Sequence, residues 1–290
     1  MRRVTLKAHA KVNYALDVVG VRADGYHELR MVMQSVSLHD EVSLERAGGG
    51  VELRVEPEGT EIGPHEGNTA YRAWRTLCDR LGEELPVRIS LRKNIPAGAG
   101  LAGGSADAAA VLRGLDELFG LGLSADELRE VGAAVGADVP FCVGGGTALV
   151  GGVGDLLSPA PAPPDHRLLV VKPPAGADTA KVYRAYDANP GGGGGAAERV
   201  LAALRSGDLT GLAGALGNDL APVTKAMVPE VAELEKELME AGALGASMTG
   251  SGTAVYGVFG DEDAATKAGK KFRVPLIGVF APVPRGLEEV

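Results

Sequence analysis

Asn94-Ile95-Pro96-Ala97-Gly98-Ala99-Gly100-Leu101-Ala102-Gly103-Gly104-Ser105-Ala106-Asp107-Ala108-Ala109 joins two segments of different period. Ahead of it Val87, Ile89 and Leu91 alternate with polar residues, a strand pattern; behind it Val111, Leu112, Leu115, Leu118 and Phe119 recur on one helical face. Strand, glycine-rich loop and helix start, in that order, make an anion cradle. The loop has few side chains to keep a ligand from its backbone N–H groups. The helix adds four N–H groups without internal partners and the positive end of its dipole. Phosphate is the expected anion. A glycine linker without a ligand is the plain alternative, but disordered linkers rarely join a strand to an amphipathic helix.

Two familiar phosphate loops do not fit. Gly98-x-Gly100-x-x-Gly103 matches the dinucleotide fingerprint by letter, but that fold needs an acid about 20 residues on, ending a second parallel strand. Asp116 and Glu117 fall within or at the end of the helix instead, and Ser124 starts another helix, so a Rossmann unit is excluded. A Walker A loop ends in Gly-Lys-Ser/Thr, and Gly104-Ser105 has no lysine before the serine. A lysine for the phosphate must come from elsewhere.

With 290 residues, 45% of them hydrophobic, the chain can bury one large core or two modest ones, and two are expected. It carries 29 basic against 38 acidic residues, a net charge of -9. That is the wrong balance for a nucleic-acid surface, whose affinity comes from clustered Lys and Arg. Chemistry on small molecules fits better. Cys78 and Cys142 lie far apart in no metal-like spacing, so they read as small buried hydrophobes rather than a disulfide framework or a zinc site. The basic start, Met1-Arg2-Arg3-Val4-Thr5-Leu6-Lys7, has no apolar run after it, and no window approaches about 18 uncharged apolar residues. A cytoplasmic protein with no membrane partner is expected.

From Val4 to Val19 the chain reads as a strand or strand pair, and period two sets Lys11 and Asn13 on one face about 7 Å apart. That face is either a lined cleft or an ordinary solvent-facing edge. Asp24-Gly25 signals a turn, which presents Tyr26 and His27 at a loop tip. Met31 to Leu38, Val42 to Leu44 and Val51 to Val55 predict short strands, with Gly48-Gly49-Gly50 as a turn. Asn68 is placed to cap a helix bearing Ala70, Tyr71, Trp74, Leu77, Cys78 and Leu81, and Ser124-Ala125-Asp126-Glu127 is a capping box for a helix to about Val135.

Asp138 follows, between that helix end and the apolar segment after Pro140. A carboxylate there is costly to bury unless paired, and a plain turn aspartate is the alternative. Ser158-Pro159-Ala160-Pro161-Ala162-Pro163-Pro164 is stiff and poor in core residues, so a domain boundary is expected there, dividing residues 1–157 from 158–290. Beyond it come a strand from His166 to Val171, a helix with Tyr183 and Tyr186, a flexible insert from Gly191 to Gly195, and a helix marked by Val231, Leu234 and Leu238. Ser247-Met248-Thr249-Gly250-Ser251-Gly252-Thr253, before the strand Ala254 to Phe259, either touches phosphate or is only a tight turn.

Ala10-Lys11-Val12-Asn13, the loop from Pro96 to Ser105 and the Gly250-Ser251-Gly252 turn together resemble the GHMP kinases, a family of small-molecule kinases. Arg22-Ala23-Asp24-Gly25-Tyr26-His27-Glu28-Leu29 and Gly136-Ala137-Asp138-Val139-Pro140 extend the likeness over nearly the whole chain. The Asp-Gly-Tyr-His element is similar to the branch that phosphorylates a cytidine-diphosphate-linked methylerythritol on the non-mevalonate route to isoprenoid precursors. Sister kinases share the loop without it.

The resemblance implies an α+β fold of two lobes with the active site in the cleft between them. It also implies transfer of the ATP γ-phosphoryl group to a 2-hydroxyl, use of magnesium, and a monomer or homodimer. By the same likeness Asp138 would accept the hydroxyl proton, and Lys11 would pair with it and stabilise charge as the phosphoryl moves. An ammonium beside a buried carboxylate offsets its desolvation, and phosphoryl transfer rests on positioning and charge stabilisation. Pro96, Gly98, Ala99, Gly100, Leu101, Ala102, Gly103, Gly104 and Ser105 would hold ATP, with Lys93 and Asn68 toward its adenine and Ser105 as a metal ligand. Tyr26 and Tyr183 would sandwich the cytosine, His27 would bond its edge and Asn13 would touch the substrate.

Two positions depart from the family pattern. Ala102 replaces a glycine, so a left-handed backbone is not expected there, and Thr253 replaces a proline after the Gly-Ser-Gly turn. Two other readings stay open: a sister kinase acting on mevalonate or homoserine, and a nucleotide-binding regulator that keeps the fold without catalysis. A binder has no use for the acid and lysine at 138 and 11.

Overall fold

The computed structural model describes residues 3–23, 25–57, 66–191, 194–274 and 276–290. Asp24 of the expected Asp24-Gly25 turn, and Gly192 and Gly193 of the glycine insert, lie outside them. The chain runs β1 (Arg3–Val21), β2 (His27–Arg46), β3 (Val51–Glu56), α1 (Thr69–Leu81), β4 (Val87–Arg92), α2 (Gly103–Phe119), α3 (Ala125–Val135), α4 (Val139–Gly144), β5 (Thr147–Gly151) and β6 (Leu156–Pro159). It continues through β7 (Arg167–Val171), α5 (Thr179–Ala188), α6 (Ala196–Ser206), α7 (Leu209–Ala215), β8 (Gly217–Asn218), α8 (Ala221–Met227), α9 (Glu230–Glu240), β9 (Gly245–Met248), β10 (Val255–Phe259), α10 (Glu262–Gly269), β11 (Leu276–Phe280) and β12 (Leu287–Glu289). Among the described residues, no helix is long and apolar enough to cross a membrane.

Two sheets carry these elements. The larger has eight strands on the path β12-β1-β2-β4-β3, with β5 and β6 continuing from β2, and β8 lying parallel to β1. The smaller has four, ordered β11-β7-β10-β9. The second half of the chain therefore lends β8 and β12 to the first sheet, and Ser158 and Pro159 of the proline-rich stretch belong to β6, paired with β5. Two of the short strands expected after Tyr26, Met31 to Leu38 and Val42 to Leu44, are one strand of 20 residues, β2, whereas Val51 to Val55 is the separate strand β3. The polar residues His39, Asp40 and Glu41 of β2 interrupt the apolar pattern without interrupting the ladder to β1.

The first strand is buried along most of its length because it is packed on both faces. Val4, Leu6 and Ala8 join one core, whereas Ala10, Val12 and Tyr14 join a second that includes Leu168, Val170 and Tyr256. The ladder to β2 is irregular between His9 and Lys11 and again between Asn13 and Ala15. These breaks frame the three residues Lys11, Val12 and Asn13, whose register is unbroken, and re-aim them relative to the rest of the strand. The solvent-facing alternative for this strand is thereby removed.

Helix α2 lies against α1 and the first sheet, burying Val111, Leu112, Leu115 and Leu118. Its close approach to β2 depends on Gly114, where a Cβ would come 2.5 Å from Leu44 Cδ1. Asn68 caps α1, its side chain accepting from Ala70 N, and the Ser124–Glu127 capping box of α3 is complete. Both follow from short polar side chains set just before an apolar repeat.

Candidate active site

The loop after β4 is tied down from three directions before it reaches α2. Asp40 Oδ1 accepts from Asn94 N (2.5 Å) and Ile95 N (2.9 Å), Lys11 N donates to Leu101 O (3.1 Å), and Thr69 Oγ1 donates to Gly104 O (2.7 Å). Gly100 has φ +75°, and a Cβ on it would come 2.1 Å from Thr249 O, so the second glycine turn packs directly on the loop backbone. Ala254 N donates to Ala99 O across the same junction (3.1 Å). Ala102 corrects the sequence expectation: it is left-handed (φ 58°), the one non-glycine residue with positive φ among those described. That conformation costs an alanine on the order of 1 kcal/mol. The bonds on either side of it, at Leu101 and Gly104, hold the chain there.

No side chain caps α2, in contrast to α3. Gly103, Gly104 and Ser105 at its start line a cleft of about 770 Å³ together with Pro96, Gly98, Ala99 and Gly100. Uncapped N–H groups with the positive helix end, opening on a cleft, suit an anion.

Lys11 enters that cleft from β1. Its Nζ donates to Asn13 Oδ1 (2.8 Å) and Gly100 O (3.0 Å) and lies 3.6 Å from Asp138 Oδ2. Asp138 immediately precedes α4 but its side chain does not cap that helix, so the carboxylate is turned to the lysine and the cleft. Asn13 Oδ1 also accepts from Gly250 N (3.1 Å) and Thr249 Oγ1 (3.3 Å), while Tyr256 O–H donates to Asn13 O (2.7 Å). Thr249, fully buried, further accepts from Asn13 N (3.1 Å). Strand, loop and second turn thus meet on Thr249 and Asn13 and set where the Lys11 ammonium can point. Chemically, the arrangement offers an anion cradle, a half-compensated cation and a reachable carboxylate, the parts a phosphoryl transfer needs.

The sequence pattern described as GHMP kinases N terminal domain matches residues 68–146, and that described as GHMP kinases C terminal matches residues 200–274. The chain belongs to the GHMP kinases. It is 47% identical over 274 residues to a 4-diphosphocytidyl-2-C-methyl-D-erythritol kinase of Moorella thermoacetica, covering 93% of this chain and 95% of that one. To the kinase of the same name from Pelotomaculum thermopropionicum it is 45% identical over 271 residues, covering 93% and 94%. A crystal structure of a 4-(cytidine 5'-diphospho)-2C-methyl-D-erythritol kinase superposes with a TM-score of 0.78 at 34% identity, covering 96% of this chain and 98% of that one.

In this GHMP kinase Lys93 lines the cleft, but its ammonium is held by two buried carboxylates, Asp40 and Asp107 (2.6 Å to the latter). Burial alone would lower the Lys93 pKa, and the two carboxylates together raise it instead. Burial pushes Asp107 up to about 7, against the pull of Lys93. Lys93 therefore acts first as a pin between β2, β4 and α2. Asn68 does not line the cleft; its side chain serves the start of α1. Asn13 lies at the site, but its carbonyl oxygen is taken by Lys11, Thr249 and Gly250, leaving the amide nitrogen 3.5 Å from Met31 Sδ.

Tyr26, His27 and Tyr183 line the same cleft. The His27 and Tyr183 rings lie 4.7 Å apart, and His27 Nε2 lies 2.6 Å from Asp187 Oδ1. Burial, then the charge of Asp138, raises the Tyr183 hydroxyl pKa, so it stays an O–H donor. Thr253 donates to Ala175 O (2.7 Å), a bond that a proline there could not make.

Asp40, Asp107, Thr249 and Asp187 are the residues that sequence reasoning missed. Thr249 could have been found through its place beside Gly250-Ser251-Gly252. The two aspartates of the Lys93 pin lie 67 positions apart and carry no local pattern. Cys142, buried with its thiol pKa raised by burial and Asp138, is the inert hydrophobe expected.

Proposed function

We propose that this chain transfers the γ-phosphoryl group of ATP to the 2-hydroxyl of 4-diphosphocytidyl-2-C-methyl-D-erythritol, a step toward isoprenoid precursors. The observation that carries the mechanism is the 3.6 Å approach of Lys11 and Asp138 at the mouth of the glycine loop, within the same cleft as Tyr26, His27 and Tyr183. The loop N–H groups and the start of α2 hold the triphosphate. Asp138 orients the acceptor hydroxyl and takes its proton as the new O–P bond forms and the bond from the γ-phosphorus to the bridging oxygen of ADP breaks. Lys11 stabilises the charge on the moving phosphoryl, where fixed cations are worth most. Tyr26 and Tyr183 supply aromatic faces for the cytosine, and such stacking contributes roughly 1–3 kcal/mol per base.

Among the described residues no group of three or more His, Cys, Asp or Glu could hold a metal ion. Ser105, on the loop, would contact a magnesium ion bound with the nucleotide phosphates. The ion supplies charge neutralisation between the phosphates. A monomer or a homodimer is expected, and the reaction is assigned to the cytoplasm.

The test is ATP turnover with the cytidylated alcohol, mevalonate and homoserine offered separately, the product being followed by phosphorus NMR. Phosphorylation of the cytidylated alcohol alone is the expected result. Higher kcat/KM on either of the other alcohols overturns the reading.

A further inference from the structure

His27 is held in one orientation by three neighbours. Tyr183 covers its face at 4.7 Å, Tyr186 meets it edge-on at 6.2 Å, and Asp187, one residue further along α5, places Oδ1 2.6 Å from Nε2. The two tyrosines fix the plane of the ring but say nothing about which nitrogen carries a proton. Asp187 does. An ionised carboxylate only accepts, so the hydrogen bond requires the proton on Nε2, and a neutral imidazole protonated there has a bare lone pair on Nδ1. The ring then offers an acceptor, not a donor, to whatever else it meets in the cleft it lines.

We propose that Asp187 is the positioning residue that sets His27 as a hydrogen-bond acceptor, and so selects a 4-amino pyrimidine over a 4-oxo pyrimidine at that end of the cleft. The inference rests on the reading of the substrate as a cytidine diphosphate ester. Cytosine carries an N–H donor on its 4-amine, which suits a lone pair on Nδ1. Uracil has a carbonyl oxygen at that position, and two acceptors facing each other leave both unpaired in a partly desolvated site. Sites built around one hydrogen-bonding group discriminate strongly against analogues that cannot complete the bond.

The experiment compares kcat/KM for the cytidine- and uridine-diphosphate-linked alcohols in the parent, Asp187→Ala and Asp187→Asn, alongside the nitrogen-15 NMR shifts of His27. In the parent, NMR should show the proton on Nε2 and kinetics should favour the cytidine compound. Both variants free the ring to take the other tautomer, and the asparagine keeps the size of the native side chain. Each should lower the cytidine-to-uridine ratio by about ten- to hundredfold, the scale of one polar group left without its hydrogen bond, with KM for ATP unmoved. A merely structural role would depress both substrates together, and an unchanged ratio in both variants overturns the proposal. So does a parent His27 protonated on Nδ1, or on both nitrogens. Should the parent fail to phosphorylate either pyrimidine compound, the substrate reading falls, while the NMR result still decides whether Asp187 sets the tautomer.

Discussion

Lys11 and Lys93 flank the same glycine loop and are equally buried, with side-chain exposures of 4% and 5%. Lys93 is surrounded by charge: Asp40 and Asp107 both bind its ammonium, and the three together carry a surplus of one negative charge when all are ionised. Lys11 is surrounded mainly by dipoles: an amide oxygen and a backbone carbonyl hold it, and its one carboxylate stands 3.6 Å away and partly open to solvent. A cation compensated in place fastens elements together. A cation held by neutral oxygens keeps most of its field for an incoming anion. The difference lies in the acceptors, since the residue type and the burial are alike.

The comparison breaks most visibly at Asp138. Asp138→Ala should cut turnover by about 10²–10⁴, the range for a general base or orienter, while calorimetry still shows ATP binding; a parent-like rate would remove the carboxylate from the mechanism. Lys93→Met should instead cost stability. It strands two buried carboxylates, so a loss of about 3–5 kcal/mol is expected in denaturant unfolding, and a neutral result would mean the pin is not one. Thr249 tests the placement of Lys11: Thr249→Val should lower kcat roughly tenfold, as loss of buried hydrogen bonds implies, and Thr249→Ser should restore it. A serine variant as slow as the valine one would point to packing rather than the hydroxyl.

The pH dependence of the pin has a definite sign. Because burial holds the Asp107 pKa at about 7, the folded chain keeps a proton that the unfolded chain releases near pH 4. Stability from this group is therefore greatest at acid pH and falls as pH rises from about 4 to 7. Asp107→Asn should flatten that slope in thermal melts recorded across the window. Smallest of all, Ala102→Gly should relieve the left-handed alanine and raise stability by about 1 kcal/mol or less, measurable as a small rise in Tm.

What was legible in the sequence was whatever has a period or a short-range rule. The strand before the loop, the apolar face of α2, the Asn68 cap and the Ser124 capping box all rest on residues within a few positions of one another, and all are present. The pairing of Lys11 with Asp138, 127 positions apart, was reached through family resemblance rather than spacing. Contacts set by the topology left no such trace. Asp40 reads as one polar residue in a strand, yet it fastens the loop from below; Thr249 reads as part of a turn, yet it joins three segments. Ala102 failed in the other direction, because an intrinsic backbone preference worth about 1 kcal/mol was overruled by bonds on both sides.

The partners of the first strand bear on how this enzyme can be handled. Along one edge it bonds β2 over most of its length, but along the other it takes Gly217 and Asn218 and then Leu287 to Glu289, more than two hundred positions away. A fragment ending at the proline-rich stretch would leave that second edge bare, with open N–H and C=O groups ready to template its own stacking. Split production of the two halves is thus a route to aggregates, and labels or fusions are better placed in the exposed turn at Gly48-Gly49-Gly50 than at the midpoint that composition recommends.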